Sequence, residues 1–365
     1  MGERSTTPAA PPALARGRAS QSNPANRFEK LSLEVLAEHV DEILAEAPDG
    51  RQVRTLVFAD RSRTVINRVD SPDIGFKWTI NPYRGCEHGC AYCYARPGHE
   101  TLGFSCGLDF ETKIVAKLEA PALLRRELAR PRWKRETIVM SGVTDPYQPV
   151  ERKLELTRRI LEVLREARQP VSVITKSSLI LRDLDILGAM AADGLARAAV
   201  SITSLDNRLS SAMEPRASSP RERLRAVREL AAAGVPVNLM TAPIIPGLND
   251  REIPALLEAA AEAGATGAGY ILLRLPHGVK DVFLEWLGRE FPDRAGRVES
   301  LIRQCRGGGL YDPSFGVRQR GEGPVAEMIA RMFEVGARRA GLDRPTPEER
   351  HRVAARPAQT TLFDV

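Results

Sequence analysis

No stretch of the 365-residue chain is apolar for anything like the ~20 residues a bilayer-spanning helix needs. The first twenty residues, MGERSTTPAAPPALARGRAS, lack the apolar centre of a secretory leader. Both absences point to a cytoplasmic protein with no membrane partner. Cysteine is scarce, at five residues, so a disulfide-stapled scaffold is excluded. A reducing compartment keeps thiols free, and closely spaced cysteines there read as metal ligands. No internal repeat is visible beyond an alternation of β- and α-type segments. Hydrophobic residues at 43% and charged residues at 27% fit a globular chain. The net charge of +6 permits an anionic partner such as nucleic acid without requiring one.

Residues 1–27 are rich in Ala, Pro, Ser and Arg without periodicity, which predicts a disordered tail. Residues 28–76 form an N-terminal appendage. It contains a helical rhythm over 29–47 and two β-like runs, TLVFAD and RTVINRV, expected to pair as a small antiparallel unit. A core spans 77–275. Six strand-like runs (78–83, 137–143, 171–175, 198–204, 235–244 and 267–275) alternate there with helical ones. Ser218 or Ser219 and Asp250 are candidate helix caps, and Gly234 and Gly264 candidate stops. The alternation predicts an α/β fold with a parallel sheet. Six units are too few for a closed eight-fold barrel, leaving a partial TIM-like (β/α)6 barrel or a doubly wound sheet. Either places its chemistry at the carboxyl ends of the strands. Residues 276–342 form a C-terminal helical extension, interrupted at 306–323. Residues 343–365 form a flexible tail.

Directly after the first strand of the core the chain reads NPYRGCEHGCAYCYARPGHE. Cys86, Cys90 and Cys93 are spaced C-x3-C-x2-C. A loop this short can wrap three thiolates around one face of an iron–sulfur cube, with Gly85 and Gly89 supplying backbone freedom. The fourth iron then lacks a protein ligand and is open to a cosubstrate, the logic of an open catalytic metal site. Two other readings stay open. One is a zinc site completed by His88 or His99; the other is a four-cysteine electron-transfer cluster that recruits Cys106 or Cys305.

C-x3-C-x-Tyr-C after the first strand of a six-unit β/α domain resembles the radical SAM superfamily over roughly residues 74–275. GCEHGCAYCYAR is most similar to the spore photoproduct lyase branch and its bacterial relatives. The resemblance implies a [4Fe–4S] cluster and S-adenosyl-L-methionine (SAM) as cofactors. It also implies an electron donor of flavodoxin or ferredoxin type, and reductive cleavage of SAM to a 5′-deoxyadenosyl radical. It further implies which residues hold SAM. Ser141, Thr144 and Asp145 match the ammonium-binding strand end. Lys176 and Ser201 suit the carboxylate, with Thr203 beside them for carboxylate or ribose. APIIPGLND (242–250) is similar to the adenine-contact motif, leaving Ile244 or Ile245 to touch the base, although Ala242, Pro246 and Asn249-Asp250 depart from it. Tyr92 and Tyr94 match tyrosines implicated in hydrogen-atom relay, with aromatic packing over the cluster as the competing role. The branch's cysteine hydrogen donor has no counterpart in TIVMSGVTD, which argues against spore photoproduct repair itself.

Gln359, Leu362 and Phe363 resemble the peptide that docks bacterial proteins onto the DNA sliding clamp; a tail packing back on its own domain competes. The loop 306–323 is a candidate cover for the barrel mouth, with Arg318 and Arg320 as candidate phosphate contacts. The functional expectation is a radical SAM enzyme, acting on DNA or another nucleic acid in a lyase or repair reaction. The alternatives are such an enzyme acting on a peptide or small metabolite, and a non-catalytic iron–sulfur protein serving as redox sensor or clamp-associated adaptor.

Overall fold

The computed structural model describes residues 14–28 and 53–343. The helix expected over 29–47 and the clamp-like tail lie outside those residues. The strands, in chain order, are β1 (Leu56–Ala59), β2 (Ile66–Arg68), β3 (Trp78–Ile80), β4 (Tyr83–Arg84), β5 (Lys113–Ala116), β6 (Ile138–Met140), β7 (Val171–Thr175), β8 (Ala196–Ser201), β9 (Val237–Ile244) and β10 (Gly267–Leu272). The main sheet runs β10-β9-β8-β7-β6-β3-β2. Its strands β3, β6, β7, β8, β9 and β10 pair in parallel and in sequence order, which is the partial barrel expected. Only β2 is antiparallel, on the edge.

Five longer helices make the crossovers: α1 (Ala120–Leu128), α2 (Leu156–Glu166), α3 (Leu184–Ala192), α4 (Pro220–Ala232) and α5 (Ile253–Glu262). Each turns one apolar stripe inward. In α2 that stripe is Leu156, Ile160, Leu161, Val163 and Leu164, the spacing of one helical face. Each such side chain, fully buried, contributes about 1.5–3 kcal/mol. Ser219 caps α4 by accepting from the Glu222 N–H. Asp250 does not cap α5; its carboxylate turns back to accept from the Gly247 N–H at 3.0 Å. Gly234 and Gly264 end their helices at φ +75° and +95°, conformations that a side chain would strain.

Register brings the strand ends level. Thr175 pairs with Val200, so Lys176 lies beside Ser201, and Ser201 in turn pairs with Met240. Past the last strand, α6 (Val279–Glu290), α7 (Pro292–Gln304) and α8 (Gly323–Arg339) follow. Leu275, Phe283 and Trp286 join Cys90, Ala91, Tyr92 and Ile245 in a second apolar cluster, apart from the main core. The extension therefore backs the cysteine loop directly.

Two expectations fail. The runs TLVFAD and RTVINRV do not pair with each other. β1 pairs parallel with β5, and β2 joins β3 in the main sheet. Strand-like runs carry no address, and both find partners later in the chain. Residues 14–28 are not a free tail either. Arg18, Ser20 and Asn26 are buried. Ser20 donates its N–H to Glu111 at 3.0 Å. The Leu108 N–H donates to Ser22 O at 3.0 Å. Asn26 donates to the carbonyls of Glu100 and Phe104. Composition predicts disorder because the segment is poor in large apolar residues, but it is held mainly by hydrogen bonds, with Ala19 in the second apolar cluster.

Asn26→Ala leaves those two carbonyls without their donor. It should cost about 1–3 kcal/mol in urea unfolding; an unchanged midpoint would show that the segment is not fastened there.

Candidate active site

The cysteine loop runs between the end of β3 and a short helix at Leu108–Thr112. Gly85 and Gly89 have φ of +76° and +65°. A Cβ on Gly89 would sit 2.7 Å from Glu111 Oε2, so the turn that brings Cys90 round admits no side chain. Cys86 and Cys90 are buried, Cys93 is partly so, and all three are free thiols. Burial pushes the Cys90 and Cys93 thiols up. The nearby Cys86 adds to the push on both, which sets the sulfurs within electrostatic reach of one another. A cationic cluster that takes them as thiolates relieves that repulsion.

The loop is pinned from behind. Arg96 is fully buried and donates to the carbonyls of Gly89, Cys90, Cys106 and Gly107. Its charge is met by buried Glu111 at 2.6 Å. From the front, Thr144 donates to Gly85 O at 2.8 Å, and the Glu87 N–H donates to Gln148 at 2.8 Å. The loop thus presents three sulfurs on a rigid backbone, which fits an iron–sulfur cube.

Three of the competing ligands lie elsewhere, while His88 stays beside Cys86. His99 packs against Phe104 and Phe110, at 5.1 and 5.6 Å between ring centroids, and burial lowers its pKa to about 4. Cys106 lies under Gly278, whose Cβ would meet its Sγ at 2.8 Å. Cys305 belongs to the main core. His88 is turned to Asp145 at 3.4 Å; burial opposes its charge, but Asp145 outweighs it and raises the imidazole to about 10. A zinc ion needs four donors at about 2.0–2.3 Å.

The strand ends form a polar shelf beside the loop. Lys176 donates to Ser201 Oγ at 2.5 Å and to Ala242 O at 3.1 Å, and lies 3.5 Å from Glu214. Glu214, which sequence reasoning missed, is buried and organises this shelf. It pairs with Arg223, and accepts from the Tyr92 hydroxyl and from Thr203. Burial would raise its pKa, but Arg223 and then Lys176 override this and hold it at about 2. Arg223 also donates to Ser201 O and Ser218 O. Burial raises the pKa of Tyr92 well above normal, so its phenol keeps its proton at neutral pH. Tyr94 is half-exposed, and its hydroxyl donates to Gly142 O at 2.6 Å.

Three expected SAM-binding side chains are already engaged. Ser141 donates to Thr144 O, Thr144 holds Gly85, and Asp145 accepts from Thr175, the Lys176 N–H, the Tyr147 N–H and His88. They build the shelf rather than stand open on it. Ile244 is buried in the main core, while Ile245 packs with Cys90 and Tyr92. Arg318 is held by Asp73 and Ser71, so it is not free for phosphate; Arg320 stacks 4.2 Å over Tyr270. A groove of about 750 Å3 lies between α5 and α8, lined by Pro254, Met328 and Met332. It belongs to the outer helical layer, not to the strand ends.

An uncharacterized protein of Mycobacterium tuberculosis is 37% identical over 304 residues, covering 82% of this chain and 86% of its own. The model of the Radical SAM superfamily matches residues 80–260. The chain belongs to the radical SAM superfamily. An uncharacterized protein of Methanocaldococcus jannaschii is 31% identical over 192 residues, covering 53% of this chain and 69% of that protein. Among solved structures, a spore photoproduct lyase variant aligns with a TM-score of 0.55 at 18% identity over 87% of each chain, a likeness of fold. Radical SAM enzymes use a [4Fe–4S] cluster and SAM and need a reductant. Among the described residues of this one, no helix is long and apolar enough to cross a membrane.

Two outcomes follow for this radical SAM enzyme. Arg96→Met strands Glu111 as a buried charge and should cost about 3–5 kcal/mol, with iron content per chain falling in anaerobic reconstitution. Glu214 is an acid whose folded pKa lies below its unfolded one, about 4.3. Its stabilisation is full above that value and is lost as pH falls through about 2. In acid titrations followed by circular dichroism, Glu214→Gln should remove that loss while lowering stability at pH 7.

Proposed function

We propose that this radical SAM enzyme applies its radical to a nucleic-acid substrate. The observation that carries the proposal is the tyrosine-flanked cysteine loop, GCEHGCAYCYAR, set on a fold like that of spore photoproduct lyase. That enzyme's name gives a spore photoproduct as its substrate, and the +6 charge of this chain suits an anionic polymer. The strand in which that branch carries a cysteine donor resembles TIVMSGVTD here, which contains none, and this points to a different lesion or modified base.

When bound, the cluster and SAM supply a one-electron cleavage of the S–C5′ bond and a carbon radical. This chain's residues do the rest. Cys86, Cys90 and Cys93 hold the cluster. Lys176, steadied by Ser201 and Glu214, offers its charge to the SAM carboxylate. Ile245, backed by Leu273 and Leu275, gives the adenine an apolar wall. Tyr92 keeps its proton and donates a hydrogen bond to Glu214, and Tyr94 stands at the mouth, where a hydrogen atom passed to or from substrate would travel. The apolar cluster behind the loop excludes water from the radical. The electron donor is proposed to be of flavodoxin or ferredoxin type. The tail residues Gln359, Leu362 and Phe363 are proposed, on their peptide resemblance alone, to dock onto the sliding clamp.

The test is an anaerobic reaction of the reconstituted enzyme with SAM and reductant, offered damaged DNA, tRNA or a peptide fraction. 5′-Deoxyadenosine should form, with product appearing in a nucleic-acid arm. Product found solely in the peptide arm would sink the substrate reading. Cys90→Ala should abolish 5′-deoxyadenosine altogether, and Lys176→Ala should raise the KM for SAM about tenfold, the loss of one charged hydrogen bond.

A further inference from the structure

Arg274 sits just past the last parallel strand. Leu273 before it continues the sheet, its N–H donating to Ile244 O at 2.9 Å. Leu273 and Leu275 both bury in the apolar cluster shared with Cys90 and Tyr92. Side chains alternate along extended backbone, so Arg274 is turned away from its two neighbours. Its guanidinium carbon lies 5.0 Å from the ring centroid of Tyr94, the residue adjoining Cys93. The ring is itself anchored through its hydroxyl to Gly142.

This guanidinium is held in place but not satisfied. Its Nε is buried and has no hydrogen-bond acceptor. Among the described residues no carboxylate stands within ion-pair distance of it, whereas the buried Arg96 and Arg223 each meet a glutamate. The charge beside it is another cation, Arg306, which donates to Leu273 O at 2.8 Å and to Val317 O at 2.7 Å. Burial lowers the pKa of Arg306, and Arg274 lowers it further. A buried donor left open, next to a second cation, is costly unless an anion completes it. The guanidinium fork matches two oxygens of a phosphate, and the half-exposed ring of Tyr94 below it offers a face on which a base can stack.

We infer that Arg274, stacked on Tyr94 at the barrel mouth, is the phosphate-binding residue of the substrate site. It takes the backbone phosphate next to the nucleotide that faces the cluster. The phosphate site rests on the geometry of Arg274; its source in a nucleic acid rests on the substrate reading above.

The test uses the full chain with its cluster reconstituted anaerobically. Binding of a short fluorescein-labelled oligothymidylate is followed by anisotropy across a range of KCl, with thymidine 5′-phosphate and thymidine as competitors. Arg274→Ala should weaken binding about tenfold and reduce the slope of log affinity against log salt by about 0.7. Arg274→Lys should restore the slope but not all of the affinity. Thymidine 5′-phosphate should compete with the oligonucleotide, and thymidine should not. Iron content and thermal melting of each variant report folding; if the alanine variant loses iron, the lysine variant decides, and wild-type affinity in it overturns the inference. Equal affinity and slope in a folded Arg274→Ala also overturn it and leave the nucleic-acid reading standing. Arg274-dependent binding of thymidine 5′-phosphate by an enzyme that ignores oligonucleotides overturns the nucleic-acid reading and keeps the site. Binding of neither overturns both.

Discussion

The buried pair of Arg96 and Glu111 is the constraint on which the active site depends. A loop with three cysteines in eight residues has few ways to satisfy its own backbone. Arg96 resolves this by donating to four carbonyls at once, two in the loop and two in its return segment. A guanidinium taken so fully from water needs a counter-charge, and Glu111 supplies it at 2.6 Å. Glu111 in turn accepts from Ser20 and lies where a side chain on Gly89 would collide with it. One ion pair therefore fixes the backbone, excludes a side chain from a tight turn and fastens the N-terminal segment. The thiols inherit their positions from it.

A second buried carboxylate organises the facing side. Glu214 gathers Arg223, Lys176, Tyr92 and Thr203. Without those donors its charge would not survive burial. The same network fixes the tyrosine beside the cluster and steadies the lysine at the strand end. Asp145 works similarly one strand away, gathering His88, Thr175 and the Lys176 amide. The chemistry is thus framed by charges that face inward, while Arg274 lies against Tyr94 with its Nε unmet.

Much of this architecture is legible in the residues themselves. The cysteine loop is, because its ligands are neighbours in the chain and their spacing is itself the geometry. The six parallel strands are, because β-branched runs between amphipathic helices admit few other arrangements. Lys176 and Ser201 are, because strand ends are where such a fold works. The pairing of β1 and β2 is not, since alternation shows that a run is a strand and never which strand it meets. The N-terminal segment escapes a compositional reading because hydrogen-bonded straps lack an apolar signature. Glu214 follows a short helix rather than a strand, and Arg274 is one arginine among many.

Sequence alone determined the cofactor chemistry and the family, written in contiguous residues, and the parallel α/β class, written in the alternation. Tertiary structure decided which charges are paired and which remain open. Ser141, Thr144 and Asp145 are spent on the scaffold, Arg318 is paired, and the buried Nε of Arg274 has no acceptor. The reason is physical: a side chain's availability depends on the partners folding brings within about 3 Å, and those partners come from anywhere in the chain.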